Sequence, residues 1–220
     1  MNKMKRLPLA CNPIDEMLGG GIEYQSITEV HGEAGSGKTN FCLQASRECA
    51  KKGKKVAYID SEGVSTERFD QICKNCDSKK ILQNVLFYQP TSFDEQEKMI
   101  SKALNLSEIG LVVVDTVNLH YRISQEEDKD SAMRCFTRQV GKLQMAAMQK
   151  NISVLITEQV YSDKNGEIKP FTNRDIEHMV KTMLKLEKVG IGKRKVTIIK
   201  HRSLPEGQTA LFSITSTGLE

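Results

Sequence analysis

Gly32, Glu33, Ala34, Gly35, Ser36, Gly37, Lys38 and Thr39 stand in a row: a glycine, four residues, then Gly-Lys-Thr. Glycines so placed let backbone N–H groups converge on phosphate oxygens, and a helix starting there turns its positive end toward them. Lys38 would reach the β- and γ-phosphates, and Thr39 would offer a hydroxyl to a magnesium ion, with Asn40 next along the helix. The chemistry implied is binding of a nucleoside triphosphate. Two carboxylates bear on what happens next. Asp115 ends the apolar run Leu111–Val114, where a P-loop protein keeps the aspartate of its magnesium shell. Glu62, in Asp60-Ser61-Glu62-Gly63, follows a second apolar run; it reads equally as a general base for an attacking water and as a solvated loop acid.

Such groups need elements to hold them. Ser26–His31 reads as a short strand feeding the glycine-rich loop and Asn40–Lys52 as the helix leaving it, which disfavours a chance match on a turn. Further strands are expected at Lys55–Asp60, Asn84–Tyr88, Leu111–Asp115 and Ile152–Thr157, and helices at Thr66–Cys76, Phe93–Leu104 and Ser131–Gln149. The run 111–114 is apolar at every position, as in strands covered on both faces of a parallel sheet. Tyr161–Asn173, polar with Gly166 and Pro170, is expected as a loop. Beyond it Met183–Val189, Lys195–Lys200 and Ala210–Ile214 alternate in polarity between turns at 190–192 and 205–207, and read as antiparallel. The fold class is therefore α/β: a central, largely parallel twisted sheet with helices on both faces and a C-terminal antiparallel extension. One domain is expected over 1–220, with a lead-in segment at 1–25 and the extension at 181–220.

At 220 residues, 39% of them hydrophobic, the chain can bury a sizeable core. No apolar run approaches the ~20 residues of a membrane span. The start, Met1 to Cys11, has the order of a lipoprotein signal, but only about four apolar residues precede the cysteine where roughly 7–15 are needed. A cytoplasmic protein with no membrane partner is expected, its six cysteines reduced. Cys73 and Cys76 lack a second pair or a nearby histidine, which favours two thiols one helical turn apart over a metal site. The net charge is only +4, yet Lys181–Arg202 holds eight Lys and Arg against Glu187 alone, so the rest of the chain is slightly acidic.

The segment Leu18-Gly19-Gly20-Gly21-Ile22-Glu23-Tyr24-Gln25-Ser26-Ile27-Thr28-Glu29-Val30, running into Gly32–Thr39, resembles the opening of the ATPase core of archaeal and eukaryotic RecA-family recombinases. Tyr58–Gly63, Leu155–Val160 and Leu204–Gly207 match three further family blocks, in order and over nearly the whole chain. The chain looks like a short archaeal paralogue of the full RadA-type recombinase, without the helix-hairpin-helix domain and the Phe-x-x-Ala polymerisation segment of that protein. The resemblance implies a RecA-like core, ATP and Mg2+ as cofactors, and roles residue by residue. Glu62 matches the catalytic glutamate, working with Lys38; Thr39 and Asp115 match the magnesium residues. Gln159 matches a glutamine that senses the γ-phosphate and passes its state to a DNA loop. Arg68 matches an arginine that stacks on adenine, although the stretch after Glu62 is one residue shorter than in the full recombinase. Pro205 matches the proline of a cap laid over the nucleotide by a neighbouring subunit, which implies a homo-oligomer through the nucleotide site. Lys200 stands where the full recombinase has an aspartate that holds a cation, and so could itself supply positive charge across that interface.

In this family two loops face DNA. The first, about Leu119–Asp130, carries Tyr121 and Arg122 but also Glu126, Glu127, Asp128 and Asp130; the second, Tyr161–Asn173, carries Lys164 and Lys169. Lys193-Arg194-Lys195 and Lys200-His201-Arg202 are the densest basic clusters, suited to contacting phosphates without reading sequence, against the competing reading of solvated strand ends. The expectation is a weak ATPase that binds DNA, single strands preferred, and assists or regulates the main recombinase and other recombination proteins in DNA repair. Two other readings stay open: an ATP-switched binding module with incidental turnover, and a KaiC-like ATPase of the same fold.

Overall fold

Runs rich in Val, Ile and Leu become strands, and amphipathic stretches cover them as helices, in the computed structural model, which describes residues 5–74, 76–160 and 174–220 in full and 161, 162 and 168–170 as backbone. The lead-in makes β1 (Arg6–Leu7), α1 (Asn12–Met17) and β2 (Ile22–Glu23), the two short strands pairing antiparallel. There follow β3 (Ser26–Gly32), α2 (Lys38–Lys51), β4 (Lys55–Asp60), α3 (Thr66–Cys73), α4 (Ser78–Asn84), β5 (Val85–Tyr88), α5 (Phe93–Leu104), β6 (Ile109–Asp115), α6 (Leu119–Ser124) and α7 (Lys129–Lys150). The remainder holds β7 (Ser153–Ser162), β8 (Ile168–Pro170), α8 (Arg174–Met179), β9 (Thr182–Lys188), β10 (Lys193–His201), β11 (Thr209–Thr215) and β12 (Gly218–Leu219).

The main sheet runs β12-β11-β10-β9-β3-β7-β6-β4-β5, with β8 paired to the outer end of β7. From β9 to β5 the strands are parallel, and β10, β11 and β12 are antiparallel to their neighbours. β3 is central, and the chain leaves it through α2 to reach β4 beyond β7 and β6. In open α/β sheets ligands gather at the carboxyl ends of such strands, and that is where the glycine-rich loop stands.

Successive side chains enter two apolar layers. Val56, Tyr58, Leu111 and Val113 pack with Phe41 and Leu43 of α2, whereas Ala57, Ile59, Val112 and Val114 pack with Ile100 of α5 and Phe136 of α7. Leu7, Leu9 and Ile14 from the lead-in, and Val196, Phe212 and Leu219 from the extension, join the α2 layer. Burying each such side chain contributes about 2 kcal/mol, so both segments are anchored on the helix that starts at Lys38.

Several elements differ from the sequence reading. α3 stops at Cys73, and the polar stretch Ser78–Asn84 is a helix that buries only Ile81. Leu119–Ser124, expected within an exposed DNA loop, is α6, and its Tyr121 is 2% exposed and stacked on Phe136 with ring centroids 4.7 Å apart. β7 continues to Ser162, into the expected loop. β9 pairs antiparallel with β10 as expected but also parallel with β3, which joins the extension to the sheet centre. Among the described residues no helix is long and apolar enough to cross a membrane.

Candidate active site

The loop from Gly32 to Gly37 has the shape of a phosphate cradle because its glycines sit where a side chain would clash or strain the backbone. A Cβ on Gly32 would lie 2.3 Å from Leu186 O, and Gly37, at φ 110°, faces Ile214 at 3.0 Å. α2 begins at Lys38, so its unpaired N–H groups open onto the loop. Lys38 Nζ donates to Gly32 O at 2.8 Å and to Glu33 O at 3.2 Å. Burial pulls its ammonium below the usual lysine range, while Glu62 and Asp115 favour the charged form. Ser36 Oγ is buried with no hydrogen-bond partner among the described residues, a polar atom left over inside the cradle. These features fit a bound triphosphate.

Asp115, 1% exposed, is delivered by β6 to the same edge. Its Oδ2 accepts from Tyr58 Oη at 2.7 Å and its Oδ1 from Thr157 Oγ1 at 2.5 Å, and Thr39 adds a side-chain bond. Burial pushes this carboxyl up, and the three hydroxyl donors pull it back. Thr39 therefore stands beside Asp115, as holders of one magnesium ion would.

Glu62 rides on a loop fixed from below. The Asp60 carboxylate accepts from the backbone N–H groups of Glu62, Gly63 and Val64 at 3.2, 2.8 and 2.7 Å. Glu62 Oε1 then accepts from Thr116 Oγ1 at 2.9 Å and from Gln159 Nε2 at 2.5 Å. On the other side of that amide, Gln159 Oε1 accepts from Arg122 Nη1 at 3.1 Å. Because Arg122 can only donate, the oxygen of Gln159 must face α6 and its nitrogen must face Glu62. Asn118 braces the Gln159 backbone, donating to its O at 3.2 Å and accepting from its N at 3.4 Å. Lys38, Thr39, Asp115, Glu62 and Gln159 are thus brought together at one edge.

Arg68 lies beside the loop. Its Nε donates to Asn40 Oδ1 at 2.7 Å and its Nη2 to Thr215 O at 2.8 Å, so it bridges α2 to the extension. Pro205 and Lys200 lie elsewhere. Val196 of β10 is level with Leu186 and hence with Gly32, whereas Lys200 is level with Met183 and Glu29. At about 3.3 Å per residue, Lys200 sits about 10 Å down the sheet from the start of its own phosphate loop, with Pro205 beyond it. Lys200 Nζ donates to Glu177 O.

The two basic triplets do not form one surface, because an extended strand keeps them at opposite ends. Lys193 is exposed, Lys195 pairs with Glu187 at 3.0 Å, and Arg194 turns to the phosphate loop. At the far end the His201 side chain is 1% exposed and Arg202 Nε donates to Glu23 Oε2 at 2.6 Å. Lys164 and the side chain of Lys169 lie outside the described residues. The sequence reading passed over Tyr58, Thr116, Asn118 and Thr157 as functional groups. The one available signal was that hydroxyl and amide residues follow or end apolar strands next to the acids they serve.

A glycine loop between β3 and α2, with a buried aspartate two strands away at the same edge, defines a RecA-like P-loop nucleotide-binding core. The sequence matches the Rad51 family over residues 2–220, and the chain belongs to that family of P-loop ATPases. It is 43% identical over 221 residues to the DNA repair and recombination protein RadB of Methanococcoides burtonii, covering 98% of this chain and 97% of that one. The RadB of Thermoplasma acidophilum is 40% identical, with 98% and 94% covered. The crystal structure of a RadB recombinase matches with a TM-score of 0.86 at 32% identity, over 97% of this chain and 98% of that one. Both named organisms are archaea. Family membership sets the recombination reading above the KaiC-like one.

Proposed function

We propose that this chain is an ATP-binding, weakly ATP-hydrolysing accessory protein of homologous recombination and DNA repair, which binds DNA, single strands preferred, and assists or regulates a RadA-type recombinase. The observation that carries this is the chain of bonds from Glu62 through Gln159 to Arg122, which ties the nucleotide edge to the segment that resembles a DNA loop. Thr39 and Asp115 would hold magnesium, which supplies neutralisation of charge on the β- and γ-phosphate oxygens. Lys38 leaves its loop carbonyls for the phosphates. Glu62, held by Thr116 and Gln159, orients the attacking water and takes its proton. Turnover measured with and without single-stranded DNA tests this. Glu62→Gln should lower turnover at least 100-fold with ATP affinity within about threefold of the parent; a variant that hydrolyses like the parent would sink the hydrolytic reading and leave the ATP-switched module.

The position of Lys200 and Pro205 supports action on a neighbouring copy, because neither can reach its own phosphate loop. Lys200→Ala should lower turnover roughly tenfold, and mixing it with Glu62→Gln should restore part of the activity. No recovery on mixing would remove Lys200 from the interface.

A further inference from the structure

Arg194, read from the sequence as a DNA contact, also reaches the phosphate loop. From the start of β10 its Nη2 donates to Gly35 O at 3.0 Å, while Nη1 donates to Lys193 O at 2.9 Å and Gly190 O at 3.4 Å. Lys188, at the end of β9, reaches the same glycine: its Nζ lies 3.0 Å from where a Cβ on Gly35 would stand. The peptide group joining Gly35 to Ser36 is thereby held at both ends, its oxygen by Arg194 and its N–H by Glu33 O at 3.1 Å. A planar group fixed at both ends resists rotation, and its neighbours at 37 and 38 keep the N–H directions a phosphate needs.

We propose that Arg194, with Lys188 beside it, is a positioning residue of the nucleotide site, acting from within the same chain to set the shape of the phosphate loop. On this basis the C-terminal extension, not only the motif, determines affinity for a nucleoside triphosphate. The proposal rests on the nucleotide-binding reading of the loop, and its test separates the two.

Calorimetric titration of Mg·ATP onto the full chain compares the parent with Arg194→Ala and Arg194→Lys, alongside amide hydrogen exchange of residues 33–38 without nucleotide. Arg194→Ala should bind ATP about tenfold more weakly, the size expected for losing one charge-assisted bond. Its loop amides should exchange at least fivefold faster. Arg194→Lys keeps the charge but not the fork that engages three carbonyls, and should recover less than half of the loss. Unchanged ATP affinity together with unchanged loop exchange would overturn the proposal. So would unchanged nucleotide affinity with a shallower dependence of single-stranded DNA affinity on salt, which would return Arg194 to a DNA interface. If the parent itself binds no ATP, the nucleotide reading fails, and the exchange comparison alone decides whether Arg194 holds the loop.

Discussion

The two ends of β10 carry the same residue types to different work. At its start Arg194 lies on the phosphate loop; past its end Arg202 donates to Glu23, a carboxylate 1% exposed that also meets Arg6 at 3.3 Å and His201 at 3.9 Å. One end reaches the phosphate loop, and the other is a strut joining the extension to the lead-in. Burial draws His201 below the usual histidine range, and its Nδ1 accepts from the backbone N–H groups of Ser203 and Leu204, so it is neutral near pH 7. A basic triplet in a sequence therefore reports charge, not availability to a phosphate.

Removing the hub of the strut should have the largest effect. Glu23→Ala leaves three cationic or polar partners around a buried gap and should cost about 3 kcal/mol in urea unfolding, with ATP affinity unchanged. A loss under about 1 kcal/mol would erase the distinction between the two ends. At the phosphate end, Thr157→Val deprives Asp115 Oδ1 of its donor and should weaken Mg·ATP binding roughly tenfold. Asp115 is already pushed up by burial, and losing a donor pushes it further, so the carboxylate is lost as pH falls. The deficit should be larger at pH 6 than at pH 8, and a pH-independent deficit would detach Thr157 from the titration of Asp115. The smallest effect separates the triplets directly. Replacing Lys193 and Lys195 by Ala should reduce the slope of log affinity for single-stranded DNA against log salt by about 0.7 per lost phosphate contact. Arg202→Ala should leave the slope alone, and a fall there would break the comparison.

Much of this was legible in the sequence. The run 111–114 announced a doubly covered strand, and the spacing of Gly32, Gly37, Lys38 and Thr39 announced the loop, because both follow from local chemistry. α4 and α6 were not legible: Ser78–Asn84 is polar, and Tyr121 becomes a core residue only when α5 and α7 supply Phe93 and Phe136. The support of Asp115 was hidden for a similar reason, since Tyr58 and Thr157 meet it only through the sheet order β7-β6-β4. The contact of Arg194 with Gly35 was hidden because its target lies 159 positions earlier, across a turn whose direction periodicity does not encode.

Sequence distance also bears on how the site comes into being. Gln44 of α2 accepts from Leu219 N at 2.7 Å and donates to Leu219 O at 3.0 Å, a separation of 175 residues, and Arg68 reaches Thr215 across 147. The helix that presents Lys38 is therefore braced by strands that lie far along the chain from it. Contacts of such range are slow to form because the intervening chain must first be closed into a loop. The bracing of the phosphate-loop helix is then a late event in folding, set by pairings that span about 150 residues or more of chain.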